Sequence, residues 1–268
     1  MPCSCVSCQS PVKPVFSWKD AFFLKLFSPS VLLPLEQWFC EECRQKMTWI
    51  NEECQRCSKS LEKEKASFIY HRNGLRICYD CVRWSYWEEE RAMESLLTRN
   101  WSAQLYNEWL KEIIETYKFR RDERLKYPLA SFLLSLWETK VREELQKQEI
   151  HIDYILPIPL STDRLEERGF NQAEQIATLF AKQVRFPCIE DFLIRIHDNE
   201  KQSKKARDER LVELFHKFIK NPQHPVDIRN KNIILIDDIY TTGATLHAAA
   251  YTLKQSGANE IFSLTIAR

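Results

Sequence analysis

Four Cys-x-x-Cys pairs, Cys5/Cys8, Cys40/Cys43, Cys54/Cys57 and Cys78/Cys81, restrict this chain more than any other feature of its sequence. Disulfide frameworks rarely use repeated tight pairs, whereas tetrahedral metal sites do. Cys54-x2-Cys57-x20-Cys78-x2-Cys81 has the spacing of a four-thiolate zinc site. Asn73-Gly74, between Phe68-Ile69-Tyr70 and Leu75-Arg76-Ile77, is a hairpin turn signal, and a hairpin entering a knuckle is what a zinc ribbon requires. Chain order then groups Cys5, Cys8, Cys40 and Cys43 as a second site; a swapped pairing, or Cys3 in place of Cys5, stays open. Four thiolates leave no position for a reacting water, so both zinc ions are expected to be structural. The competing reading is a redox role for one pair.

All paired cysteines precede residue 82, which divides the chain into a cysteine-rich module, 1–90, and a second domain, 91–268. With 44% hydrophobic residues the chain can bury a core. Lys+Arg 39 against Asp+Glu 38 excludes a globally basic nucleic-acid binder, though not a local basic surface. No apolar run approaches the roughly 18 residues of a membrane span, so no membrane insertion and a cytoplasmic location are expected.

After residue 90, helical periodicity covers Tyr106–Tyr117, Leu129–Gln148 and Phe170–Val184. Ile152–Leu156, Ile189–Ile196, Asn232–Ile236 and Ile261–Ile266 read as strands, and Thr242–Gln255 as a helix closed near Gly257. Alternation of strand and helix predicts an α/β fold with a parallel sheet flanked by helices.

Ile233-Ile234-Leu235-Ile236-Asp237-Asp238-Ile239-Tyr240-Thr241-Thr242-Gly243-Ala244-Thr245 is the most informative stretch of the second domain. A buried strand delivers two carboxylates at its end, where ligands of open α/β sheets bind. A short Thr/Gly loop then opens a helix, whose free N–H groups and positive dipole end favour a phosphate. Gly243 lets the backbone curl around an anion, and Thr241, Thr242 and Thr245 can add hydroxyl donors. Asp237 and Asp238 are acceptors suited to ribose hydroxyls or to an Mg²⁺ beside them.

This stretch closely resembles the phosphoribosyl-pyrophosphate (PRPP) signature of type I phosphoribosyltransferases. Leu156-Pro157-Ile158-Pro159-Leu160 followed by Arg164-x-x-x-Arg168-Gly169-Phe170-Asn171-Gln172 resembles a block of the ComF competence proteins, and Tyr117-Lys118-Phe119-Arg120 resembles another. The chain departs from the family where Arg121 replaces the usual glycine and where Asn199 precedes Gln202. The resemblance implies a type I phosphoribosyltransferase-like sheet behind a small double zinc-ribbon module. It also implies that Thr241–Thr245 hold a 5′-phosphate and Asp237 and Asp238 the ribose. Pro157, Ile158 and Pro159, with Mg²⁺, would lie at the pyrophosphate, beside Arg164 and Arg168. Proteins of this family act in natural transformation, handling incoming single-stranded DNA on the cytoplasmic side with the ComFA DNA helicase/translocase. A catalytically active phosphoribosyltransferase with an unidentified base is the alternative.

Two basic clusters, Lys118/Arg120/Arg121/Arg124 and Lys201/Lys204/Lys205/Arg207/Arg210, read either as solvated faces or as contacts for a nucleic-acid backbone. Trp84, Tyr86, Trp87, Trp101 and Trp109 around the boundary read as interface core or as stacking platforms. Cys188 reads as a buried small hydrophobe, and His247 as packing or surface.

Overall fold

The computed structural model describes residues 4–12, 32–91, 93–196 and 215–268. Cys3 and the basic segment from Lys201 to Arg210 lie outside the described residues. Two short helical turns, Leu35–Trp38 and Glu41–Arg44, precede a hairpin of β1 (Ile69–Arg72) and β2 (Leu75–Cys78), which runs into α1 (Tyr79–Glu90). Next come β3 (Arg99–Gln104), α2 (Glu108–Phe119) and α3 (Lys126–Leu136), which continues through a π-turn at Trp137–Val141 into Arg142–Lys147. Then follow β4 (Tyr154–Pro157), α4 (Thr162–Arg168) and α5 (Gln172–Val184). An antiparallel pair, β5 (Leu193–Arg195) and β6 (Phe218–Lys220), leads to β7 (Ile233–Ile239), α6 (Ala244–Gln255) and β8 (Ile261–Ala267).

The main sheet has the order β3-β8-β7-β4, every neighbour parallel. Its centre follows from the sequence: Ile233, Leu235, Ile234 and Ile236 of β7 are fully buried, alternate residues facing opposite sides. Ile234 and Ile236 join one core with Leu110, Tyr117, Phe132 and Phe180 from α2, α3 and α5. Ile233 and Leu235 join another with Leu246, Ala249 and Leu253 of α6.

Each core continues into one half of the cysteine-rich region. Cys5, Cys43, Trp38 and Phe39 pack with the first, and Cys54, Cys57, Cys78, Cys81, Trp84 and Trp87 with the second. The two thiol clusters therefore lie over opposite faces of one sheet.

β3 is absent from the sequence reading, and its composition explains why. Trp101 and Ala103 are apolar on one face, while Asn100, Ser102 and Gln104 are buried on the other. Asn100 receives the second knuckle. Asn100 Nδ2 donates to the Cys57 carbonyl (3.3 Å), its Oδ1 accepts from Ser263 Oγ (2.8 Å), and Ser58 Oγ donates to the Asn100 carbonyl (2.9 Å). The docked knuckle thus completes the hydrogen bonding of Asn100, while Ser102, Ser263 and Thr265 pair within the sheet, partners distant in sequence that no local pattern reveals. Within the same knuckle the Arg56 guanidinium meets the Glu88 carboxylate at 2.6 Å, both side chains nearly inaccessible, tying it to α1.

The expected strand Ile189–Ile196 shortens to β5, although Cys188 forms a single parallel bridge with Ile155. Burial raises the Cys188 thiol to about 12, which fits an unreactive packing role. Trp84, Trp87, Trp101 and His247 are core residues, whereas Tyr86 is 58% exposed.

Candidate functional site

The two thiol clusters are built alike. In each, the first Cys-x-x-Cys forms a tight loop closed by a backbone bond from the residue after the pair: Gln9 N to the Cys5 carbonyl and Ser58 N to the Cys54 carbonyl, both 2.9 Å. Gln9 (φ 64°) and Ser58 (φ 57°) both adopt the left-handed conformation there. The second pair opens a helix in each case, Cys40 preceding Glu41–Arg44 and Cys78 preceding α1. Helix N-termini favour negative charge, so they suit thiolates. The Cys78 amide in addition donates to Cys54 Sγ at 3.2 Å.

Within each cluster all four sulfurs lie within 4.8 Å of one another. Cys54–Cys81 and Cys57–Cys78 are separated by 3.6 Å, and Cys8–Cys40 by 3.4 Å. Zinc–sulfur bonds of about 2.3 Å require sulfurs roughly 3.8 Å apart in a tetrahedron, so both donor sets fit zinc. The second set is buried throughout, while Cys8 of the first is exposed.

At the carboxyl end of β7, Asp237 and Asp238 stand side by side. The Asp238 amide donates to Asp237 Oδ1 at 2.9 Å, and Asp238 forms an ion pair with Lys118 at the end of α2. Burial, reinforced by the neighbouring Asp238 charge, pushes Asp237 up to about 7; Lys118 and Arg195 oppose that rise. Arg168 lies within electrostatic reach of Asp238, and burial followed by the Arg164 charge lowers its own pKa. Arg164 itself is exposed on α4. Arg195, on β5, was not singled out by sequence reading: it lies some forty residues before the carboxylates, and only the fold brings it to them.

β4 ends at Pro157, whose partner in the sheet is Ile236, and the Ile158 amide donates to the Ile236 carbonyl at 2.9 Å. The Pro157–Leu160 loop therefore sits next to the carboxylate pair. Asn171 fixes the loop from behind: Nδ2 donates to the Ile158 carbonyl (3.2 Å), and Oδ1 caps α5 by accepting from Ala173 N (3.1 Å).

Beyond β7, Thr241-Thr242-Gly243 leads into α6. The first N–H groups of a helix lack intrahelical partners. Of these, the Ala244 amide is met by Thr242 Oγ1 at 3.4 Å. The loop carbonyls have partners elsewhere: Tyr240 and Thr241 accept from Arg268, Thr242 from Trp84 Nε1 (3.0 Å), and Gly243 from the His247 amide (2.8 Å). Carbonyls engaged on one side leave the amides to an anion on the other.

Gly243 has φ +80° and is buried; a Cβ there would lie 2.1 Å from Tyr240 Oη. Tyr240 cannot easily yield, being 3% exposed beneath the Arg268 guanidinium. Gly243→Ala is therefore expected to cost about 1–3 kcal/mol and to distort the loop. Thermal unfolding of the variant would show a lowered Tm, and an unchanged Tm would contradict the geometry.

A parallel sheet whose central strand ends in paired carboxylates and a Thr/Gly turn at a helix N-terminus is a phosphoribosyltransferase-type domain, and residues 165–268 match the family described as phosphoribosyl transferase domain. The cysteine clusters and the remaining chain take the assignment further. Over 267 residues the chain is 34% identical to competence protein ComFC of Bacillus subtilis, covering 98% of this chain and 94% of that protein. It is 29% identical to competence protein ComFC of Streptococcus pneumoniae, covering 98% of this chain and 99% of that one. The chain belongs to the ComF family of competence proteins. Among solved structures, adenine phosphoribosyltransferase from Leishmania tarentolae aligns with 57% of this chain and 75% of its own, at 15% identity and a TM-score of 0.33.

Proposed function

We propose that this protein serves DNA uptake in natural transformation, using a PRPP-binding domain braced by two structural zinc ions. It works on the cytoplasmic side, handling incoming single-stranded DNA with a ComFA-like helicase/translocase. Among the described residues no helix is long and apolar enough to cross a membrane. The observation that carries the PRPP reading is the phosphate loop, whose carbonyls are engaged away from the site while Asp237 and Asp238 stand at its entrance.

The residues divide the ligand between them. Thr241, Thr242, Gly243, Ala244 and Thr245 take the 5′-phosphate, and Asp237 and Asp238 face the ribose hydroxyls. Pro157, Ile158 and Pro159 border the pyrophosphate, with Arg164 and Arg168 nearby. The paired carboxylates are hard oxygen donors of the kind Mg²⁺ accepts together with phosphate oxygens, and the ion would neutralise the pyrophosphate charge. Zinc occupies Cys5/Cys8/Cys40/Cys43 and Cys54/Cys57/Cys78/Cys81.

A second reading, phosphoribosyl transfer to an unidentified base, is favoured by the assembly of Lys118, Arg168 and Arg195 around the carboxylates. In that reaction a base nitrogen bonds to the anomeric carbon as the bond to pyrophosphate breaks, and the protein contributes positioning and charge stabilisation.

Calorimetric titration of the zinc-loaded protein with Mg·PRPP, with and without short single-stranded DNA, tests both readings. Saturable binding lost in Asp237→Ala/Asp238→Ala supports the PRPP site; absence of binding removes it. Pyrophosphate release on adding a nucleobase would establish transfer. DNA binding that survives the double substitution with a steep salt dependence would assign DNA to phosphate contacts outside the loop.

A further inference from the structure

An anion loop functions only if its amides point inward, and this conformation requires its carbonyls to be held on the opposite side. Here the residues holding them come from outside the loop, and one of them also touches a thiolate of the second cysteine cluster. Arg268, immediately after β8, donates from Nη1 to the Tyr240 carbonyl at 3.3 Å and to the Thr241 carbonyl. From Nη2 the same guanidinium donates to Cys57 Sγ at 3.5 Å. Its plane covers the Tyr240 ring at 4.7 Å, and Asp80, beside Cys81 on α1, lies 3.8 Å away. The Arg268 side chain is only 10% exposed. Trp84, three residues beyond Cys81, supplies the remaining bond, Nε1 to the Thr242 carbonyl at 3.0 Å. Its ring packs on His247 of α6 at 4.0 Å.

We propose that Arg268 and Trp84 are positioning residues of the phosphate loop, and that through Arg268 the loop and the second thiolate tetrad form one coupled unit. The proposal rests on reading residues 240–245 as an anion site and names what sets that site's shape.

The chemistry requires an arginine. Four thiolates around one divalent zinc retain net negative charge, which a nearby cation offsets. A planar guanidinium can present separate N–H groups to a sulfur and to two carbonyls at once, whereas an ammonium is a single point charge. Coupling then runs in both directions, because binding free energies are reciprocal. Anion binding at the amides stiffens the loop and with it the Arg268–Cys57 contact, while a change at Cys57 loosens the carbonyls.

The test uses the full zinc-loaded chain and the variants Arg268→Gln, Arg268→Lys and Trp84→Phe. Zinc content is measured by chelator release, amide hydrogen exchange is followed over residues 240–246 without ligand, and Mg·PRPP affinity is measured by calorimetry. Each variant is expected to retain both zinc ions. Exchange over the loop should accelerate in all three, and affinity should fall by at least about tenfold in Arg268→Gln. Arg268→Lys is expected to restore only part of the loss. Trp84→Phe, which preserves the aromatic packing, keeps the test decisive if Arg268→Gln fails to fold. In the cadmium-substituted wild-type protein, PRPP should shift the cadmium NMR resonance of one tetrad and leave the other in place.

Unchanged loop exchange in Arg268→Gln and Trp84→Phe would overturn the inference. Equal PRPP responses at both cadmium sites, or none at either, would overturn the coupling. Failure of wild-type protein to bind PRPP would instead defeat the PRPP reading, with hydrogen exchange still deciding whether these side chains hold the loop.

Discussion

Cys54→Ser is expected to abolish cooperative folding of the α/β sheet, rather than merely fray the knuckle that carries the residue. Cys54, Cys57, Cys78 and Cys81 are at most 2% exposed and share a core with Ile233 and Leu235 of β7 and with α6. A structural zinc contributes about 10–16 kcal/mol of apparent binding energy in small zinc domains, as much as the whole net stability of a typical protein. Without the metal, four thiols would be confined within 4.8 Å of one another, and the polar face of β3 would lose the docked knuckle it was built to meet. Loss of the near-ultraviolet dichroism of Trp84 and Trp87, together with a zinc stoichiometry reduced by one, is the measurement. Cys8→Ser should cost much less, because Cys8 is exposed at the rim of the other cluster. A Cys54→Ser protein that kept both zinc ions and its melting temperature would refute the assignment of zinc to this tetrad.

The sequence was legible where a local pattern reflects a local cause. β7 announces itself because a strand buried on both faces needs apolar residues at consecutive positions. Asn73 (φ 49°) and Gly74 (φ 76°) form the turn between β1 and β2 because both positions require left-handed backbone. Cysteine spacing grouped the thiols correctly in space because each pair sits on one tight loop or helix start. Other features depend on partners distant in sequence and leave no such pattern. β3 alternates polar and apolar residues, as a solvent-facing edge would, yet its polar side is buried under Cys57 and Ser58. Arg195, Arg268 and Trp84 are ordinary residues until the fold carries them to the carboxylates and the loop. Gly169 ends α4 at φ +82°, and α4 is too exposed to show an apolar stripe in the sequence.

Asp237→Asn is expected to remove this site's share of the pH dependence of stability in the free protein and to weaken Mg·PRPP binding by about tenfold to a hundredfold, the loss of a charged hydrogen-bonding group. Asp237 has a folded pKa of about 7 against 3.8 for an unperturbed carboxyl, chiefly through burial and then through the charge of Asp238, with Lys118 and Arg195 pulling the other way. The sign follows from proton counting. Between about pH 4 and about pH 7 the folded state holds more protons at this site than the unfolded state, so its contribution to stability declines as pH rises through that window and is constant above it. Asparagine preserves the shape and can still accept the Asp238 amide now bonded to Asp237 Oδ1, but it carries no charge to desolvate. The free variant should therefore gain stability over wild type as pH rises from about 4 to about 7, read from urea midpoints at successive pH values. Binding has the opposite dependence, because ribose hydroxyls and Mg²⁺ need the ionised form. Wild-type affinity should rise as pH is raised through about 7, with proton release visible as a buffer-dependent binding enthalpy, and Asp237→Asn should show neither. Parallel stability curves for the two proteins across this range would mean that Asp237 is already ionised in the free site, and that no proton need leave it for ribose or metal to bind.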